Sequence, residues 1–177
     1  MHRCVERILI TEEELIKRIR ELGQVITEEY KEDAPLLVGL LKGSVPFLSE
    51  LIKHIDLDIE YDFMDVSSYS GTESTGEIRV VKDLDCSVRG AKILIVEDIV
   101  DTGRTLKTVK ELLYSKGAES VKVITLLDKP DRRVVELESD YVGFVIPNEF
   151  VIGYGLDFDQ KYRNLPYVGV LKEECYK

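Results

Sequence analysis

The sequence predicts an α/β protein with a mostly parallel central sheet flanked by helices. Three observations lead there. Short apolar runs of strand length alternate with segments of helical periodicity along the chain. The run Ile93-Leu94-Ile95-Val96 reads as a strand buried on both faces, as in a parallel sheet covered by helices. Three polar or turn-forming segments, Lys42-Gly43-Ser44, Glu97 to Thr105 and Asp128-Lys129-Pro130, each follow an apolar run. They would gather at the carboxyl edge of such a sheet, where ligands bind.

The elements follow in order. Residues 11–30 form a first helix: Thr11 and Glu14 fit a capping box, and Leu15, Ile16, Ile19, Leu22, Val25 and Ile26 make one apolar face. Residues 36–41 are a short apolar strand. Ser44 caps a second helix, with Pro46 in the first turn, where a missing N–H costs little. Leu57, Ile59, Tyr61 and Phe63 alternate at the start of a half-buried strand over residues 57–66. Residues 67–77 are polar and glycine-containing and predict a mobile loop, after which 77–81 resume as a strand. A strand over 93–98 is followed by a helix over 105–116, with Gly117 as its stop signal. Residues 121–127, 141–146 and 167–171 supply the remaining strands. No repeat, low-complexity tract or linker interrupts the chain, so residues 1–177 read as one domain.

Composition narrows the function. The formal charge of −10 would repel a nucleic-acid backbone, so nucleic acid is excluded as a partner. A small phosphorylated ligand is compatible if Mg²⁺ accompanies it. Cys4, Cys86 and Cys175 are odd in number and lack zinc-like spacing, which predicts free thiols in a reducing compartment. With no apolar run of membrane-spanning length and no basic-then-apolar leader, a soluble cytoplasmic protein without a membrane partner is expected. His2, in an expected frayed terminus, and His54, at a helix end, give no support to a histidine nucleophile or a zinc site.

The densest chemistry lies in residues 97–105. Thr102-Gly103-Arg104-Thr105 offers successive N–H groups, two hydroxyls and a helix N-terminus, each of which favours an anion. Gly103 permits a positive φ or close approach of a ligand to the backbone. The common nucleotide loops are absent: Gly153-Tyr154-Gly155 lacks the third glycine and the helix of a dinucleotide fingerprint. Glu97, Asp98 and Asp101 would repel one another unless ribose hydroxyls, Mg²⁺ or a proton offset them. Acids at a helix start commonly just stabilise the dipole. Three of them after a buried strand and beside an anion nest instead imply a ligand with both hydroxyls and a phosphate.

The string Val96-Glu97-Asp98-Ile99-Val100-Asp101-Thr102-Gly103-Arg104-Thr105 resembles the phosphoribosyl-diphosphate motif of the type I phosphoribosyltransferases. Leu41 to Ser44, Ser68-Tyr69, Leu127 to Pro130, Gly143-Phe144, Phe150 to Asp157 and Tyr162 to Pro166 extend the resemblance over most of the chain. The Asp128-Lys129 and Phe150 to Asp157 strings resemble the bacterial hypoxanthine (hypoxanthine-guanine) branch specifically. The resemblance implies a type I phosphoribosyltransferase fold with a small hood and a flexible active-site loop. It also implies Mg²⁺-dependent transfer of phosphoribose from 5-phosphoribosyl 1-diphosphate to hypoxanthine and guanine.

Carried onto this chain, the resemblance implies that Thr102, Gly103, Arg104 and Thr105 hold the 5′-phosphate and that Glu97 and Asp98 bind the ribose, directly or through Mg²⁺. Asp101 would face purine N7 as general base, and as acid in the reverse direction. Lys129 would donate to the oxygen at C6, Phe150 would stack on the purine, and the Val151 backbone would read the base edge. Asp157 would line the same end of the site, near a second metal or the diphosphate, so that Glu97, Asp98 and Asp157 are the expected metal ligands. Lys42, Gly43 and Arg163 would bind diphosphate, with the Lys42–Gly43 peptide bond able to be cis. Ser68 and Tyr69 would begin a loop that closes over the site and excludes water. Relatives are commonly homodimers or homotetramers, so a homo-oligomer is expected. Two alternatives remain open: a xanthine-preferring enzyme, and a nucleotide-sensing regulator on the same fold.

Overall fold

The computed structural model describes residues 1–68 and 78–176. Two sheets organise them. The larger has six strands: β2 (Leu36–Leu40), β3 (Glu60–Ser68), β4 (Ile78–Lys82), β5 (Lys92–Val100), β6 (Ser120–Asp128) and β7 (Tyr141–Val145). Their order is β4-β3-β2-β5-β6-β7. All neighbours pair in parallel except β3 and β4, so an antiparallel edge closes an otherwise parallel sheet. The chain steps outward from β2 to β3, then returns to lay β5 on the other side of β2. This reversal opens a crevice beyond the carboxyl ends of β2 and β5, the usual ligand position in such sheets.

Helix α1 (Glu12–Glu29) starts as its sequence requires. Thr11 and Glu14 form the capping box in both directions, a device worth roughly 1 kcal/mol at the Thr side alone. Leu15, Ile19, Leu22 and Ile26 are buried by α1, together with Gly23. Val25, expected on that face, is exposed. The helix packs with α2 (Val45–Leu51) on one face of the large sheet, against Leu37, Leu94 and Val96. Helix α3 (Arg104–Ser115) covers the other face with Leu106, Val109 and Leu113, against Val38, Ile93 and Ile95. Successive residues of β5 thus enter opposite cores. That is why 93–96 is unbroken in hydrophobicity rather than alternating.

The second sheet is the small hood. It is antiparallel, in the order β1 (Val5–Ile10), β9 (Val168–Leu171), β8 (Val151–Ile152). Neither β1 nor β8 was expected. Strand β1 carries two register irregularities against β9, which erase a clean alternation in its sequence.

Several local expectations are corrected. Ser44 does not cap α2 with its side chain: its backbone is already helical, and its Oγ is buried with no hydrogen-bond partner among the described residues. Strand β3 starts at Glu60, because Ile59 N–H donates to Leu57 O and turns the preceding segment. Strand β5 continues past Glu97 and Asp98 to Val100, since β6 keeps pairing with it as far as Val100 opposite Asp128. The predicted loop over 67–77 loses Ser67 and Ser68 to β3, and the remainder, Tyr69 included, lies outside the described residues. His2 is not frayed: its N–H donates to the Tyr167 hydroxyl, and its ring meets Tyr162 edge-on. No helix among the described residues is long and apolar enough to cross a membrane.

Candidate active site

The β5–α3 junction builds a small cleft at a helix N-terminus, a position that favours an anion. Gly103 precedes α3 with φ of 81°, a left-handed conformation that L side chains rarely adopt. A Cβ there would also lie 2.9 Å from Arg133 Cδ. The turn lets Gly103 O accept from Lys107 N–H and leaves the first N–H groups of α3 without helical partners. A cleft of about 130 Å³ results, lined by Glu97, Asp101, Thr102, Gly103 and Thr105. Arg104 opens the helix beside it.

The acids of β5 sit where charge is costly. Glu97 Oε2 is sealed from solvent and has no hydrogen-bond partner among the described residues. Burial, and then the charge of Asp98, raise the Glu97 carboxyl well above the usual carboxylate range. Burial also pushes Asp98 up to about 6, against the opposing pull of the Ile99 N–H and the Arg163 charge.

Two glycines bring the remaining loops onto these acids. A Cβ on Gly43 would fall 1.7 Å from Asp98 Oδ2, and one on Gly155 would fall 2.0 Å from Gly43 O. Only glycine permits the 42–44 loop to lie between Asp98 and the 153–157 turn. Arg163 secures that turn: it donates to Gly155 O at 2.7 Å and pairs with Asp157 Oδ1 at 3.0 Å. Lys42, Gly43, Asp98, Asp157 and Arg163 therefore share one corner. The cis peptide bond is Leu41–Lys42, one residue before the expected Lys42–Gly43 bond.

A second cavity, of about 390 Å³, adjoins the carboxyl ends of β5 and β6. Asp101, Lys129, Phe150, Val151, Leu156 and Asp157 line it. Lys129 is only 7% exposed. Its Nζ donates to Glu149 O at 2.7 Å, and burial lowers its pKa. It is not the solvated surface lysine its charge alone would suggest. Phe150, by contrast, is 42% exposed, with its ring at the cavity wall.

The expected metal set is not gathered into one cage. Among the described residues no three acids, histidines or cysteines converge on a metal position, and Asp157 is engaged by Arg163. Glu97 Oε2, without a partner among the described residues, and the Asp98 carboxyl nonetheless offer hard oxygen donors, and a bound divalent cation would favour their charged forms. That donor set fits Mg²⁺, which binds through one or two carboxylates and takes its other ligands from phosphates and water.

The segment 129–134, of which only Lys129 was expected at the site, holds Asp101 in place. Lys129 N–H donates to Val100 O at 3.0 Å, and Val134 N–H donates to Thr102 O at 3.1 Å. Between them Arg132 Nε donates to Asp101 Oδ1 at 3.0 Å, and Arg133 Nη1 donates to Asp101 O at 2.6 Å. Arg133 also pairs with Asp128. The only trace of this in the sequence is an Arg-Arg pair just after Lys129, indistinguishable there from surface charge.

The phosphoribosyl transferase domain family matches residues 6–159. The chain is 59% identical over 177 residues to the hypoxanthine-guanine phosphoribosyltransferase of Lactococcus lactis subsp. lactis, covering 99% of this chain and 96% of that one. It is 53% identical over 173 residues to the enzyme of the same name from Streptococcus pyogenes serotype M3, covering 97% and 96%. The crystal structure of a hypoxanthine phosphoribosyltransferase from Staphylococcus aureus superposes with a TM-score of 0.96 at 51% identity, covering 100% of this chain and 97% of that one. These likenesses establish that the chain belongs to the phosphoribosyltransferase family, in its hypoxanthine-guanine branch.

Proposed function

We propose that the protein transfers phosphoribose from 5-phosphoribosyl 1-diphosphate to hypoxanthine and guanine, giving IMP and GMP plus diphosphate, with Mg²⁺ required. The observation that carries the proposal is the cavity of about 390 Å³ in which Asp101, Lys129 and Phe150 face one volume beside the anion cleft.

In this reading Thr102 to Thr105 hold the 5′-phosphate through backbone N–H groups and hydroxyls. Glu97 and Asp98 grip the ribose and stabilise the positive charge that develops on it as the diphosphate departs. Asp101 takes the proton from purine N7, while its other oxygen stays tied to Arg132. Lys129 donates to the C6 oxygen, and a base with an amino group there leaves two donors facing each other. Phe150 stacks on the ring, the Val151 backbone reads its edge, and Lys42, Gly43 and Arg163 receive the diphosphate. Ser68 and Tyr69 begin the closing loop. Glu97 and Asp98, with Asp157 nearby, would hold Mg²⁺, whose charge would ease departure of the diphosphate. The free cysteines suit a cytoplasmic setting, and a homodimer or homotetramer is the expected assembly.

A spectrophotometric assay with hypoxanthine, guanine, xanthine and adenine, each with and without Mg²⁺, tests the proposal. Turnover of the first two in Mg²⁺ alone is expected. Preference for xanthine or adenine, or equal rates in excess chelator, would overturn the assignment.

A further inference from the structure

Phe150 poses a mechanical problem. A ring that is 42% exposed has little around it to fix its plane, yet a purine platform must present one flat face in one orientation. Its support comes from the end of the chain. The Tyr176 ring lies nearly parallel to Phe150, with centroids 5.1 Å apart and planes 18° from each other. Phe158 meets both rings edge-on, at 5.7 Å from Phe150 and 6.4 Å from Tyr176. Tyr176 is not among the residues lining the purine-sized cavity. Its ring thus stacks on Phe150 without forming part of the cavity wall.

Tyr176 is itself anchored. It follows the short 3-10 turn Glu173–Cys175, and its N–H donates to Glu173 O at 3.1 Å. The turn is pinned to the start of the chain by Lys172 N–H donating to Cys4 O at 2.9 Å. Tyr176 packs with Cys4, Phe158 and Tyr162 onto the hood residues Val5, Ile152 and Leu171. The hood thus reaches the Phe150 ring through stacked and edge-on aromatic contacts, besides lining the cavity with Val151 of β8.

We propose that Tyr176 is a positioning residue for the purine: it backs Phe150, so that a bound base becomes the third layer of a Tyr176–Phe150–purine stack. The inference rests on the reading of Phe150 as the purine platform. A platform braced on its far side loses less freedom when the base arrives, and that difference appears as affinity for the base alone. The ring, not the hydroxyl, does this.

Steady-state kinetics on Tyr176→Ala, Tyr176→Leu, Tyr176→Phe and Phe150→Ala test it, with hypoxanthine and 5-phosphoribosyl 1-diphosphate varied separately. Loss of an aromatic pair predicts that the Ala and Leu variants raise the KM for hypoxanthine about three- to tenfold. The KM for 5-phosphoribosyl 1-diphosphate and kcat should stay within about twofold, and Tyr176→Phe should match the unaltered protein. A normal hypoxanthine KM in the Ala and Leu variants, beside a raised one in Phe150→Ala, overturns the inference and leaves the platform reading standing. A normal KM in Phe150→Ala overturns both. Equal damage to both KM values and to kcat would mark Tyr176 as merely structural and also overturn the inference.

Discussion

Replacing Asp98 by Asn should make the ligand-free, metal-free protein more stable while destroying its turnover. The magnitude follows from the site. Burial raises the Asp98 carboxyl from 3.8 to about 6. Across that gap the folded state disfavours the charged form by about 3 kcal/mol, at 1.36 kcal/mol per pH unit. The sign follows from which state holds the proton. The folded chain holds the Asp98 proton more tightly than the unfolded chain; well below pH 3.8 both states carry it and nothing is lost. As pH rises through about 6, the folded state alone bears the cost of a buried charge. Asparagine keeps an acceptor for the Ile99 N–H and removes that cost. Chemical or thermal unfolding at pH 7.5 should show a gain of up to about 3 kcal/mol, or roughly 6–12 °C for a chain of this size. At pH 4 the gain should shrink to about 0.5 kcal/mol. A variant less stable at pH 7.5, or a gain independent of pH, would refute the reasoning. The same variant should turn over about 100-fold more slowly or worse, because the ribose would lose a charge partner.

Three further outcomes can be checked. Asp101→Asn should lower kcat by about 10² to 10⁴ while leaving 5-phosphoribosyl 1-diphosphate binding, measured by calorimetry, largely intact; unchanged turnover would reject the assigned base. Gly43→Ala should push the 42–44 loop off Asp98, since the added carbon would lie 1.7 Å from Oδ2; a weakened diphosphate affinity by direct titration is expected, and an unaltered value would deny that contact. Arg132→Ala should free Asp101 Oδ1 and lower kcat about tenfold with little change in the KM for 5-phosphoribosyl 1-diphosphate, whereas an unaffected kcat would make the ion pair incidental.

Helical and strand periodicity carried much of this architecture because both reflect burial directly. Thr11 and Glu14 announced the start of α1, and the apolar 93–96 run announced a strand with helices on both faces. The turn into α3 was equally legible, since Gly103 follows the acids and precedes a helical pattern. Only the resemblance put Lys129 and Phe150 together, at the one cavity that both line: neither carries a local mark separating it from a surface lysine and a core ring. What stayed hidden depends on contacts distant in sequence. Strand β1 forms because β9, over 150 residues later, pairs with it despite two irregularities. Ser44 looked like a cap, but its backbone was already helical. Arg132 and Arg133 act on Asp101 across 31 and 32 residues, and Tyr176 meets Phe150 only once the hood has closed.

A crystal structure with IMP tests the central claim most directly. The account predicts the 5′-phosphate seated on the N–H groups of Thr102 to Thr105, the ribose hydroxyls toward Glu97 and Asp98, N7 beside Asp101, and the C6 oxygen at Lys129. An IMP molecule bound elsewhere, or with its base and phosphate reversed in these two cavities, would contradict it.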